Sequence, residues 1–339
     1  RDCTGGGLLE CMLRSPARKP AQAPAAAGQD MPQSATARQA QGAAMAFPGP
    51  APTSAQEADT FAAAQASAQG REPSKPEPVE KVVLAMFRSQ GNHLAQTKHC
   101  LALQDAISAG GKEAKARIVA CGGTDAIVQA MTDGLKAEDM PEQAVQTLCM
   151  LLEDEGDHQA AMIRSGVVGS VISAMGVKND SRLFSEWGLC ALLAATDWED
   201  GRREIVANGG IQCTCQAMRT FFAYPSILEC GCRHLAGIAR FEDRVRLAVA
   251  EAGGILEVTK AMRLHPFDAS LQEAACVAAH NLALNAELAH KLATMGALEE
   301  IKRITQNHPL LAETQMVKNI MTMLIEVQVD INAQPPLSH

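Results

Sequence analysis

The chain has 339 residues, a formal net charge of −8, 47% hydrophobic residues, only 3% aromatic ones, and 11 cysteines. An acidic balance excludes a general nucleic-acid or anionic-membrane binder, which needs a basic face, and no stretch approaches the ~18 apolar residues of a membrane span. An odd cysteine count, scattered through apolar runs, argues against a secreted disulfide framework and for a reducing compartment, cytoplasm or nucleus.

Residues 1–78 are compositionally distinct. They hold 10 of the 16 prolines, in runs such as "PAQAPAAAG" and "FPGPAPTS", with few large apolar residues. Such a segment buries too little apolar surface to offset its chain entropy, so it is read as a disordered tail. Its seven basic and seven acidic residues cancel, which puts the net charge downstream.

From residue 79 the pattern turns helical. "EKVVLAMFRS" and "KHCLALQDAI" read as the second and third helices of a truncated first unit. Between that unit and the next, "AISAGGKEAKAR" lacks the GxxxxGK[ST] spacing of a phosphate loop and follows a helix, where such a loop would follow a strand.

A block then recurs: "ACGGTDAIVQAM", "RSGVVGSVISAM", "ANGGIQCTCQAM", "EAGGILEVTKAM". Its leading glycines, Gly122, Gly166, Gly209 and Gly253, step by 44, 43 and 44 residues, and Met131, Met175, Met218 and Met262 keep the same steps. A weaker copy starts at Gly296. Self-similarity at this period marks a solenoid whose units stack only on their neighbours.

Each unit divides into three helices. A short first helix opens on Asp157, Asp200, Asp243 or Asn285, whose side chains suit the free backbone N–H groups of a helix start. The glycine ends it, since a residue without Cβ adopts a left-handed conformation at no steric cost. The second helix runs to the recurrent methionine, which is read as a core position. Pro141, Pro225, Pro266 and Pro309 all fall in the turn that follows, as expected for helix starts. The third helix is longest and carries Glu142, Glu186, Glu229 or Glu273 near its positive end. "QMVKNIMTMLIEV" is read as the third helix of the last unit and the C-terminal cap, with residues 331–339 as a flexible end.

The glycine pairs followed by isoleucine (Gly209-Gly210-Ile211, Gly253-Gly254-Ile255) and "AACVAAHNLAL" resemble armadillo repeats over about residues 79–330. The repeats are similar to the armadillo region of leucine-rich-repeat kinases and to small armadillo-only proteins. The resemblance implies an all-α, right-handed superhelical solenoid of about five three-helix repeats. It also implies a concave groove, lined by third helices, that binds extended segments of other proteins. Importin-like members carry Trp and Asn four residues apart on those helices. Here the Trp slot holds Ala102, Gln146, Cys190, Arg233 and Val277, and the Asn slot holds Ala106, Met150, Ala194, Gly237 and Asn281. One position of ten matches, so recognition of nuclear signals does not carry over.

No nucleophile–base–orienter set, HExxH or kinase element is present. Cys213/Cys215 and Cys230/Cys232 are spaced two apart on helices, where neighbours point to different sides, so neither pair reads as a metal site. No enzymatic activity, cofactor or metal is expected. The expected function is a protein-binding scaffold. The alternatives are a regulatory region of a larger signalling enzyme and a structural part of a cytoskeletal or ciliary assembly. The groove candidates are Gln146, Met150, Cys190, Arg233, Arg240 and Asn281. Arg233 and Arg240, two helical turns apart, suit an acidic or phosphorylated partner segment, and Asn281 suits a hydrogen bond to that segment's backbone.

Overall fold

The computed structural model describes residues 78–153 and 156–333; all but the last residue of the tail read as 1–78, and residues 334–339 of the end read as 331–339, lie outside them. Every regular element among the described residues is a helix. A partial first unit comprises α1 (Val79–Arg88) and α2 (His93–Ala120), which is two helices fused across Gly111. At φ 52° and ψ −136°, a conformation reserved for glycine, Gly111 turns the third helix of one unit into the first helix of the next.

The following units repeat this plan. The second unit adds α3 (Gly123–Asp133) and α4 (Met140–Leu152); the third is α5 (Asp157–Arg164), α6 (Val167–Val177) and α7 (Arg182–Ala195). The fourth is α8 (Glu199–Ala207), α9 (Gly210–Thr220) and α10 (Pro225–Ala239); the fifth is α11 (Asp243–Glu251), α12 (Gly254–Leu264) and α13 (Ala269–Ala283). The last is α14 (Ala286–Thr294), α15 (Ala297–Asn307), the short α16 (Pro309–Ala312) and α17 (Gln315–Ala333), which runs three residues past the expected end of the solenoid at 330.

Like packs on like. The third helices α2, α4, α7, α10, α13 and α17 touch in succession, as do the second helices α3, α6, α9, α12 and α15. The result is a layered solenoid with one continuous core.

The sequence signals act as expected at the helix ends. Gly122, Gly166, Gly209, Gly253 and Gly296 all have φ between 78° and 89°. Asn285 caps α14 by accepting from the Leu288 amide at 3.2 Å. Asp157 and Asp243 sit one residue past the N-cap and Asp200 two, in the first turn, where their charge faces the positive helix end. The recurrent methionines are each no more than 2% exposed. They pack where the third helix has a small residue: a Cβ on Gly188 would lie 2.6 Å from the Met175 sulfur, and one on Gly231 2.6 Å from Met218 Cγ. The second and third helices therefore approach closely, and the adaptable thioether fills the contact.

Candidate functional site

A third helix packed on its neighbours by two faces leaves one narrow outer row at a spacing of three to four residues. In this chain the row runs through Ala102, Gln146, Cys190, Arg233 and Val277, all half-buried. The adjacent row is deeper. Ala106, Ala194, Gly237 and Asn281 are buried, and only Met150 stays half-exposed. The resulting surface is small and neutral except at Arg233.

The charged groups along it are mostly engaged within the fold. Arg233 Nε donates to Glu229 Oε1 one turn earlier, at 2.9 Å. Arg240 keeps its helical geometry at the C-cap of α10, so the two-turn spacing from Arg233 holds, but it lies at the exposed rim. Its guanidinium lies 5.5 Å from the centre of the Phe241 ring, and it has no carboxylate partner among the described residues. Arg246 does not join them. It is 11% exposed, bonds Asp243 at 2.6 Å and the Arg240 carbonyl at 3.0 Å, and so braces the corner between α10 and α11.

Asn281 is also engaged. Its amide donates to the Ala236 carbonyl at 2.9 Å, tying α13 to α10, and the residue is 8% exposed. Glu142 ties α4 to the start of α7: Ser181 donates to it at 2.7 Å, and Lys178 lies 3.5 Å from the same carboxylate. Burial raises the Glu186 carboxyl above its ordinary value, against a hydrogen bond from Ser226 and the charge of Arg182.

Open clefts among the described residues lie elsewhere. One of about 460 Å³ lies between α6 and α9, with Gly176 and Cys213 in its wall. In the next two interfaces the equivalent positions hold an arginine and a glutamate that pair across the repeats (Arg219–Glu257, Arg263–Glu300), so this cleft is the gap left where that pair is missing. Another, about 220 Å³, is bounded by Arg202 and Phe241, with the Arg202 guanidinium 4.1 Å from the ring centre. Neither holds a nucleophile against a base. Among the described residues no three His, Cys, Asp or Glu side chains converge as metal ligands.

The sequence reading missed two features. Cys149, Cys190 and Cys230 fall on three successive third helices, out of phase with the repeat. Phe222 and Phe267, in successive turns, and Leu310, in the short α16 of the next repeat, project at 56%, 80% and 76% exposure, and these segments are tied by His265 to the Phe222 carbonyl and His308 to the Pro266 carbonyl. The matched step of His265-Pro266 and His308-Pro309 is the sequence trace of those ties.

No protein-family profile matches this chain, and no curated protein matches it either. Solved structures do. The designed armadillo repeat protein YIII(Dq)4CqI superposes with a TM-score of 0.62 at 15% identity, over 74% of this chain and 99% of its own. A second design, YIII(Dq.V1)4CPAF in complex with the peptide (KR)4, gives 0.59 at 16% identity, over 75% and 99%. An engineered protein, Northeast Structural Genomics Consortium target OR329, gives 0.61 at 19% identity, over 74% and 96%. The fold is therefore an armadillo-type solenoid, and at these identities the likeness extends to the fold alone.

Proposed function

We propose that this protein is a non-catalytic scaffold that holds an extended segment of a partner protein along the row of third helices. The observation that carries the reading is the row itself. Ala102, Gln146, Cys190 and Val277 are half-buried, uncharged positions of one row across the repeats, interrupted by the single charge of Arg233 and bordered by glutamates that are already engaged. An extended chain offers one backbone donor and acceptor per residue, and a track with a regular step meets such a ligand without folding it. A similarly folded design binds the peptide (KR)4.

Within this reading the acidic or phosphorylated group of the partner meets Arg240. Arg233 is a weaker anchor than its position suggests, because an incoming carboxylate must displace Glu229 from it. The expected setting is the cytoplasm or nucleus, with other proteins as partners.

The test is selection of binding peptides from a display library against the full chain, followed by variants. Gln146→Arg and Val277→Arg should abolish binding of the selected segments, Arg240→Ala should weaken the acidic ones, and Leu256→Arg on the second-helix layer should change nothing. Loss of binding in Leu256→Arg alone would place the partner elsewhere.

A further inference from the structure

We propose that Cys190 and Cys230 form an oxidation-sensitive dithiol that closes to a disulfide, joining the third helices of two successive repeats inside the candidate groove. The sulfurs lie 3.3 Å apart, on the packed helices α7 and α10. A disulfide needs about 2.05 Å, so each sulfur moves by well under an ångström, within reach of a side-chain rotation.

The register explains the contact. Cys190 occupies the repeat position of Gln146, three residues before that of Cys149, and Cys230 occupies that of Trp187, three residues before Cys190. Each cysteine thus sits one helical turn earlier than the last, on a diagonal across α4, α7 and α10. Cys149, on the adjacent α4, is the next member. The three thiols form a line rather than a triangle, which suits pairwise bond formation and not chelation of a metal. Cys190 and Cys230 are half-buried residues, whereas Cys100, Cys149, Cys215, Cys232 and Cys276 are fully buried.

The step balances with a peroxide. One thiolate attacks hydrogen peroxide to give a sulfenic acid, with the second oxygen leaving as water. The other thiol then displaces the sulfenic hydroxyl as a second water, leaving the disulfide. Two thiols are oxidised by two electrons in all, and one peroxide is reduced. A neighbouring thiol (Cys149 for Cys190, Cys190 for Cys230), and then burial, raises both thiols well above the ordinary cysteine range, against the lowering effect of Cys230 on Cys190.

The bond would pin α7 to α10 where the groove candidate Cys190 stands, and would close a ring containing all of α8 and α9. It needs no partner, so it stands or falls independently of the proposed binding role.

The experiment treats the folded full chain with hydrogen peroxide, blocks remaining thiols with N-ethylmaleimide, and maps cross-linked peptides by mass spectrometry. A Cys190–Cys230 peptide pair lighter by two hydrogens, reversed by dithiothreitol and accompanied by a rise in Tm of several degrees, is the expected result. Cys230→Ser should abolish the pair. If that variant does not fold, the wild-type peptide map still decides. Linkage predominantly through other cysteines, sulfinic acids without a cross-link, or linkage only in denaturant would each overturn the proposal.

Discussion

Arg263 reaches forward one repeat to Glu300, with 2.9 Å between its Nε and the carboxylate, and Arg219 reaches Glu257 in the same way at 3.5 Å. Each carboxylate, 4% exposed, takes a second cation from its own helix: Arg303 at 3.0 Å and Lys260 at 3.6 Å. Two half-exposed cations on one buried anion make the cluster asymmetric. Removing the anion leaves cations that water can solvate, whereas removing both cations strands a buried charge. Glu300→Gln should therefore cost about 1 kcal/mol, and Arg263→Ala with Arg303→Ala about 2–3 kcal/mol, less than for a fully buried pair because the cations are partly screened. Urea unfolding of both variants checks the order.

The paired glycines should respond differently to alanine. Gly253 has φ 89°, and a Cβ there would meet the Arg219 guanidinium in ordinary contact at 3.5 Å, so Gly253→Ala costs mainly backbone strain, about 1–2 kcal/mol. Gly254 is helical, but a Cβ there would lie 2.5 Å from Val249 Cγ1 and 2.9 Å from the Val249 carbonyl oxygen. The first and second helices must separate to admit it, and Gly254→Ala should cost more than Gly253→Ala. Thermal melts of the two variants give the comparison directly.

His234 is fully buried on α10; its Nδ1 lies 2.9 Å from Thr214 Oγ1, and its Nε2 has no hydrogen-bond partner among the described residues. Burial lowers its pKa from 6.5 to about 4. Above pH 6.5 the ring is neutral whether folded or unfolded, and it adds no pH dependence. As pH falls below 6.5 the unfolded chain binds a proton that the folded chain excludes. Stability then drops by about 1.4 kcal/mol per pH unit, until the folded histidine titrates near 4, a total of about 3 kcal/mol. His234→Gln should flatten that part of the stability–pH curve, whatever it does to stability at pH 7.

Asn281→Ala should cost about 1 kcal/mol through the lost tie to Ala236, with no separate loss of partner affinity in the folded variant. Chemical denaturation and peptide titration measure the two effects independently.

Deleting residues 166–208 removes one period and should leave a soluble, helical chain, because each unit contacts only its neighbours. Deleting 20 residues from the same start breaks the phase and should leave little helix. Circular dichroism of the two deletions distinguishes them.

The repeat was readable because its signals are local. A left-handed glycine, a proline at a helix start and a buried methionine each act within a few residues, and they recur in phase. The surface was harder. The Glu229–Arg233 pair has a legible four-residue spacing, and reading it would have lowered the standing of Arg233 as an anchor. Asn281 bonds a carbonyl 45 residues away, which only the stacking of α13 on α10 reveals. The cysteine diagonal drifts one turn per repeat, so a search for constant phase passes over it. Arg246 follows Arg240 closely in sequence, yet its guanidinium braces the corner between α10 and α11.

The central claim is that the partner lies on the third-helix row. The direct measurement is photo-cross-linking from benzoylphenylalanine placed singly at Gln146, at Val277 and at Leu256 in the full chain, mixed with a display-selected segment. The account predicts efficient cross-links from Gln146 and Val277 and none from Leu256. Cross-links from Leu256, with Gln146 and Val277 silent, would contradict it.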